Sequence, residues 1–205
     1  MKKLLATGLA AGFIFCALGE STACSYTPSF VASAIWIDGG VKHEYSLYRF
    51  VDGFTMDKDW LDTKDWVAST LSSEYALATI TSGDENNFIN ASFFTTTSTK
   101  VKFSGEVWLG GYQDPAGAEP DEGWAWVTGE VWSYTDWGSG EPNDSGGYEE
   151  YLGTNWKSHW NDEGNLGNIA GFLVEKTSPI PEPATMLLFG TGIAGLATVI
   201  RRKRN

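Results

Sequence analysis

Cysteine is nearly absent from this 205-residue chain, and its two examples, Cys16 and Cys24, both lie ahead of residue 25. A disulfide framework is therefore excluded for the body of the protein. Basic side chains are also scarce, with 14 Lys and Arg against 26 Asp and Glu. Six of the 14 sit at the extreme ends: Lys2, Lys3, Arg201, Arg202, Lys203 and Arg204. Residues 24–178 then hold 8 basic and 24 acidic side chains, a net charge of −16. A body that acidic repels phosphate backbones at long range, which excludes nucleic acid as a partner, whereas divalent cations are attracted. Histidine occurs only as His43 and His159, and no Gly-x-Ser-x-Gly is present, so a Ser-His-Asp hydrolase has no support. The chain shows no internal repeat and no low-complexity block. Apolar material is plentiful: 42% of residues are hydrophobic, and ten Trp fall between Trp36 and Trp160. A body of about 155 residues can bury a substantial core.

The two ends read as addresses. Lys2 and Lys3 precede an apolar run over residues 4–18, and Ser21-Thr22-Ala23 follows. A basic start, an apolar centre and a small-residue cleavage site define a secretory signal peptide over residues 1–23. Cleavage after Ala23 leaves Cys24 first, but Ser21 stands where a lipoprotein signal carries an aliphatic residue, so ordinary cleavage is the expectation. At the other end Pro181-Glu182-Pro183 leads into an uncharged apolar stretch over residues 184–200, then Arg201-Arg202-Lys203-Arg204. The stretch is just long enough to cross a bilayer, and the basic tail places its end on the cytoplasmic side. A plain C-terminal anchor accounts for these features. Their tripartite order also resembles the PEP-CTERM sorting signal of Gram-negative bacteria, over residues 179–205. That resemblance implies recognition by an exosortase, membrane attachment before processing, and delivery to the cell surface, outer membrane or extracellular matrix.

Between the signals, residues 41–50 alternate and read as a strand. Over residues 57–69 the positions Trp60, Leu61, Val67, Ala68 and Leu71 share one helical face. Leu77-Ala78-Thr79-Ile80 is strand-like. Ser82-Gly83-Asp84-Glu85 fits a capping box, with the Glu85 carboxylate reaching back to the Ser82 N–H. A second helix should run to residue 94, burying Phe88, Ile89 and Phe93, and residues 95–99 read as loop. Beyond residue 100, short apolar pieces (Val107-Trp108-Leu109, Trp124-Ala125-Trp126-Val127, Phe172-Leu173-Val174) alternate with long Gly-, Pro-, Asp- and Asn-rich loops, which are more often functional than idle. Helices early and strands with long loops later predict an α+β fold with antiparallel sheet over residues 24–178.

Within the loops lie Glu141-Pro142-Asn143-Asp144, Glu149-Glu150 and Trp160-Asn161-Asp162. Carboxylates beside side-chain amides are hard oxygen donors, the set that Ca²⁺ takes six to eight at a time. A cis bond before Pro142 would turn both flanking side chains the same way. Asp, Asn and Pro are also ordinary turn residues. Trp124, Trp126, Trp132 and Trp137 suit either a sugar-stacking platform or core packing, and their positions beside strands favour packing. Paired carboxylates suited to glycoside hydrolysis exist by number alone, but acids clustered beside amides suit metal ligation better, and no catalysis is expected.

The order of these pieces resembles a C-type lectin domain. Leu77-Ala78-Thr79-Ile80 with Ser82 and Glu85, Trp108-Leu109-Gly110, Glu141-Pro142-Asn143, Trp160-Asn161-Asp162 and Phe172-Leu173-Val174-Glu175 follow one another in family order over residues 40–176. The resemblance implies a two-helix α+β domain with a long loop region projecting from an antiparallel sheet. It implies one Ca²⁺ held by Glu141, Asn143, Glu149, Asn161 and Asp162, coordinating two vicinal sugar hydroxyls that the same side chains hydrogen-bond. Glu-Pro-Asn is the version associated with mannose-type sugars, and Gln-Pro-Asp with galactose. Asp144 and Glu150, with Glu122 or Asp114, suggest an auxiliary calcium site. The chain departs from the family at Tyr151, where a Cys is expected. The expected function is a calcium-dependent module binding a glycan or exopolysaccharide. The alternative is a matrix or adhesion protein whose lectin-like fold contacts protein partners.

Overall fold

A computed structural model describes residues 28–51, 59–95, 103–114, 120–164 and 169–180. The signal-peptide reading, Cys24, most of the loop at residues 95–99, and the tail from residue 181 onward lie outside these residues. Among the described residues no helix is long and apolar enough to cross a membrane.

The chain enters through a hairpin of β1 (Ser29–Asp38) and β2 (Val41–Arg49). Gly39 and Gly40 make its turn at φ of 53° and 85°, the left-handed backbone that two-residue hairpin turns require. Tyr45 and Leu47 of β2 are buried, in line with the alternation. The sequence reading held no counterpart to β1. Its inward residues Ala32, Ala34 and Trp36 pack on the core, while Val31, Ile35 and Ile37 face solvent. Both faces are apolar, so the period-2 contrast vanishes.

Helix α1 (Trp60–Thr70) begins at Asp59, whose side chain accepts the Asp62 N–H at 2.8 Å. Its buried face differs from the expected one. Trp60, Thr63 and Val67 point inward and Leu61 is 43% exposed. The Trp60 Nε1–H donates to the Leu109 carbonyl at 2.7 Å, which sets the helix's rotation and turns Leu61 outward. Thr63 tolerates burial because its hydroxyl donates to the Asp59 carbonyl at 2.7 Å.

Strand β3 (Tyr75–Leu77) leads to α2 (Gly83–Ile89), which continues as a π-helical turn, Asn90–Phe94. Half of the capping box forms as read, with the Ser82 hydroxyl accepting the Glu85 N–H at 3.2 Å. The Glu85 carboxylate, however, accepts the N–H of Thr81 at 2.8 Å and the hydroxyl of Tyr45, not the Ser82 N–H. Glu85 is 1% exposed, and the Tyr45 hydroxyl draws it inward. Ile89, Phe93 and Phe94 are buried and Phe88 is partly so.

Five strands complete the α+β domain: β4 (Glu106–Gln113), β5 (Trp124–Trp126), β6 (Tyr151–Trp156), β7 (His159–Glu163) and β8 (Ile169–Pro179). The sheet order is β1-β2-β8-β4-β6-β7, with β3 on β8 and β5 on β4. Strand β8 pairs antiparallel with β2 from Val41↔Pro179 to Arg49↔Gly171 and parallel with β4, so both ends of the domain meet mid-sheet. Alternation along β8 divides the core. Phe172 and Val174 join Trp60, Val67 and Trp108, while Leu173 joins Tyr45, Ile80, Ile89 and Trp160.

The β2–β8 contact tolerates no side chain at one point. A Cβ at Gly171 would lie 2.0 Å from the Tyr48 carbonyl oxygen. Gly171→Ala must therefore push two central strands apart and is expected to cost at least the about 1–3 kcal/mol typical of overpacking. Thermal melting of the variant measures this, and an unchanged midpoint would contradict it.

Candidate functional site

The site begins with the β6–β7 hairpin. Lys157 and Ser158 form its turn at φ of 47° and 73°, inside the Trp156↔His159 pair. Trp160, fully buried, follows on β7. Its ring centroid lies 5.5–5.9 Å from those of Trp126, Trp132, Tyr134 and Trp137. Its backbone is tied to the loop on both sides: the Trp160 N–H donates to the Asp136 carbonyl and the Gly138 N–H to the Trp160 carbonyl, each at 2.8 Å. Asn86 of α2 joins them, accepting the Trp160 Nε1–H at 3.3 Å and donating to Asp136 Oδ2 at 2.8 Å. The four Trp weighed as a sugar platform are packed into this cluster, with Trp124 and Trp126 buried and Trp132 and Trp137 partly so. They form the loop region's own core.

Asp162, 1% exposed, carries the loop. It accepts the Asn143 N–H on both oxygens at 3.0 and 2.9 Å and the Asp144 N–H on Oδ2 at 2.7 Å. The Glu141–Pro142 peptide is cis, and the Asn143 side-chain amide donates to the Glu141 carboxylate. Farther along, Glu149 Oε2 accepts the Ser145 N–H at 2.7 Å, while Asp144 Oδ1 accepts the Glu149 N–H at 3.1 Å. Glu141, Asn143 and Asp162 thus form one hydrogen-bonded group, with Glu149 folded back over the same turn.

The electrostatics are one-sided. Burial, then the Asp162 charge, raises the Glu141 carboxyl above its ordinary range. Burial raises Glu149 as well, with Asp162, Glu163 and Glu141 adding to it. Lys157 is the cation that acts on Glu141. The donors are all oxygens, and the hydrogen bonds and Lys157 leave the Glu141 and Glu149 carboxyls above their ordinary range, which fits a hard divalent cation. Among the described residues, the trio of His, Asp or Glu donor atoms lying within 4.8 Å of one another is elsewhere: His43, Glu85 and Glu175. That spacing suits a small cation. The three groups already satisfy one another, however. His43 Nδ1 is 2.6 Å from Glu175 Oε1, Glu175 Oε2 accepts the Thr79 N–H at 3.2 Å, and Glu85 holds Tyr45 and Thr81. His43, without an evident partner in the sequence, braces β2 against β8 in this way. His159 lies half-exposed at the rim, 3.2 Å from Asp136 Oδ1.

The two auxiliary candidates separate. Asp144 stays in the loop turn, whereas Glu150 borders a hollow of about 560 Å³ with Asp114, Trp60, Lys64, Tyr112 and Gln113. Tyr151, which stands in place of a Cys, stacks on Trp60 at 4.9 Å and meets Trp108 edge-on at 6.3 Å. It anchors the end of the loop to α1 by packing. Sequence reasoning missed two acids. Glu106 of β4 and Glu163 of β7 sit beside Asn161, whose side-chain amide donates to Glu163 Oε1 at 2.9 Å. Burial, then Glu163, pushes the Glu106 carboxyl up to about 8. Only the i+2 spacing of Asn161 and Glu163 on a strand, which puts both on one face, hinted at the pairing.

Comparison with known proteins bears on the fold and on the C-terminal segment. A family model described as the PEP-CTERM protein-sorting motif matches residues 179–204. A lectin of Pleurodeles waltl is 29% identical over 139 residues, 67% of this chain and 73% of that protein. Ladderlectin of Oncorhynchus mykiss is 34% identical over 94 residues, 45% of each chain. Among solved structures, the cow C-type carbohydrate-recognition domain of CD23, crystallised in the presence of GlcNAc2Man3 oligosaccharide, superposes with a TM-score of 0.50 at 16% identity, covering 75% of this chain and 98% of that one. The chain therefore has the C-type lectin fold and ends in a PEP-CTERM sorting motif.

The raised acids and His43, raised chiefly by its Glu175 hydrogen bond, act together on stability. Each of Glu85, Glu106, Glu141, Glu149 and Glu163 holds its proton more tightly folded than unfolded. The folded state then binds more protons, so stability falls as pH rises from the ordinary carboxylate range towards about 8. Glu44 and Glu74 are lowered by Lys42 and Lys176 and act oppositely, but they lie at the surface, where solvent screens them. In EDTA the melting temperature should drop between about pH 5 and about pH 8. A flat or rising profile would contradict the raised carboxyls.

Proposed function

We propose that the chain is an exported, calcium-dependent carbohydrate-binding module without catalysis, displayed at the cell surface, outer membrane or extracellular matrix. The body, residues 24–178, does the binding. Residues 1–23 direct export, and residues 179–205 hold the protein at the inner membrane until an exosortase-type enzyme removes them. The export and transient anchoring follow from the sorting motif. One observation carries the binding reading: buried Asp162 draws in the backbone of Asn143 and Asp144, bringing Glu141 and Asn143 to the strand that bears Asn161.

In this reading Glu141, Asn143, Glu149, Asn161 and Asp162 hold one Ca²⁺. The ion supplies coordination positions for two vicinal hydroxyls of a glycan or exopolysaccharide. The chain's own part is orientation. The carboxylates of Glu141 and Glu149 accept hydrogen bonds from those hydroxyls, and the amides of Asn143 and Asn161 donate to them. The solvent exposure of Asn143 and the partial exposure of Glu141 and Glu149 leave these groups within reach of a ligand. The similarity to lectins of two vertebrates supports the sugar class, and Glu-Pro-Asn supports a mannose-type preference.

Calorimetric titration of Ca²⁺ should give saturable binding in the range of extracellular modules, about 10⁻⁴ to 10⁻³ M. Glu149→Ala should weaken it by at least about tenfold, the loss of one charged ligand. Absence of binding at several times that concentration would remove the calcium reading. Glu141→Gln combined with Asn143→Asp should shift preference from mannose-type sugars towards galactose in a glycan competition assay. A double variant that keeps the original preference would show that this motif does not hold the sugar.

A further inference from the structure

Glu106 and Glu163 are unaccounted for by the site described above. They come from different strands and meet over Gly153 of β6. A Cβ built on Gly153 would lie 3.6 Å from Glu106 Oε1 and 3.6 Å from the Glu163 Cγ. Glu106 is 5% exposed, and its Oε1 is buried without a hydrogen-bond partner. A buried acceptor left unsatisfied beside a second carboxylate is costly, and the cost is relieved when a cation sits between them. Glu163 is only half-buried, so solvent reaches the pair from its side. Asn161 stands next to both, its amide donating to Glu163 Oε1.

We propose that Glu106 and Glu163 form an inner divalent-cation site, distinct from the set of Glu141, Asn143, Glu149, Asn161 and Asp162. The donors are carboxylate oxygens without His or Cys, which suits Ca²⁺ over softer metals. Two carboxylates supply at most four oxygens, so water completes the shell. Filling the inner site fixes Glu163, and through it the orientation of Asn161. This link to Asn161 rests on the calcium reading of the loop, whereas the inner site itself does not.

The test counts ions. Full-length protein in detergent is titrated with Ca²⁺ by calorimetry, alongside Glu106→Gln, Glu163→Gln and Glu149→Ala. Gln keeps the shape of Glu, and melting in EDTA verifies that each variant is folded. Expected are two ions per chain in the parent, with one lost in Glu106→Gln and in Glu163→Gln and the other lost in Glu149→Ala. A single ion lost in Glu149→Ala but kept in both Gln variants overturns the inner site and leaves the loop reading standing. A single ion kept in Glu149→Ala and lost in the Gln variants supports the inner site and removes the loop reading. No binding by the parent overturns both.

Discussion

The burial of Trp160 is the constraint on which the rest of the site depends. Its indole lies at 0% exposure among four aromatic rings, and its peptide N–H and carbonyl fasten Asp136 and Gly138 to strand β7. The next two residues on that strand are Asn161 and Asp162. Asp162 in turn collects the backbone of Asn143 and Asp144. A loop that leaves the sheet after Trp126 and returns only at Tyr151 thus acquires a fixed course from one tryptophan and one carboxylate. Packing supplies the position, and hydrogen bonds to a buried acceptor supply the direction.

The same arrangement concentrates negative charge. Strands β4 and β7 bring Glu106 and Glu163 beside Asn161, and the loop brings Glu141 and Glu149 to Asp162. Proteins rarely gather acids in partly buried surroundings unless a cation or proton answers them. In the His43 cluster, across the domain core, the answer is internal, since histidine, tyrosine and backbone N–H groups meet both carboxylates. In the loop cluster backbone N–H groups meet Asp162 and Glu149, and the Asn143 amide meets Glu141; Lys157 is the cation that acts on Glu141, and the Glu141 and Glu149 carboxyls still lie above their ordinary range. The contrast sets two carboxylates braced by a histidine against a group of acids gathered around Asp162.

Much of this was legible in the residues, and the failures have physical causes. Strand β2, the two helices and the run at Phe172 follow from periodicity and from Ser82. Strand β1 was invisible because Ile35 and Ile37 face water while Ala32 and Ala34 face the core. The rotation of α1 depends on a bond from Trp60 to Leu109, a tertiary contact that no local pattern encodes. The residues of the loop set stand in three short stretches, Glu141-Pro142-Asn143, Glu149-Glu150 and Trp160-Asn161-Asp162; their chemistry alone suits turns as well as ligands, and the family resemblance is what named them together. Glu106 could not be picked out, since it precedes an apolar run as any turn acid would, and its meaning appears only when β4, β6 and β7 are side by side. Ser82 was read correctly as the cap, yet the Glu85 carboxylate went to Tyr45 and Thr81 because burial outweighed the local geometry.

Tyr151 stacked on Trp60 holds the end of the loop at the position where the family pattern carries a Cys. A cross-link acts largely by restricting the unfolded chain, whereas ring packing exists only in the folded one. The body therefore carries no permanent tether between β6 and α1. Unfolded, it is an open linear polymer that can be threaded through a narrow translocation pore end to end. Once across, it can close its loop with no oxidant, and reducing agents have nothing there to cut.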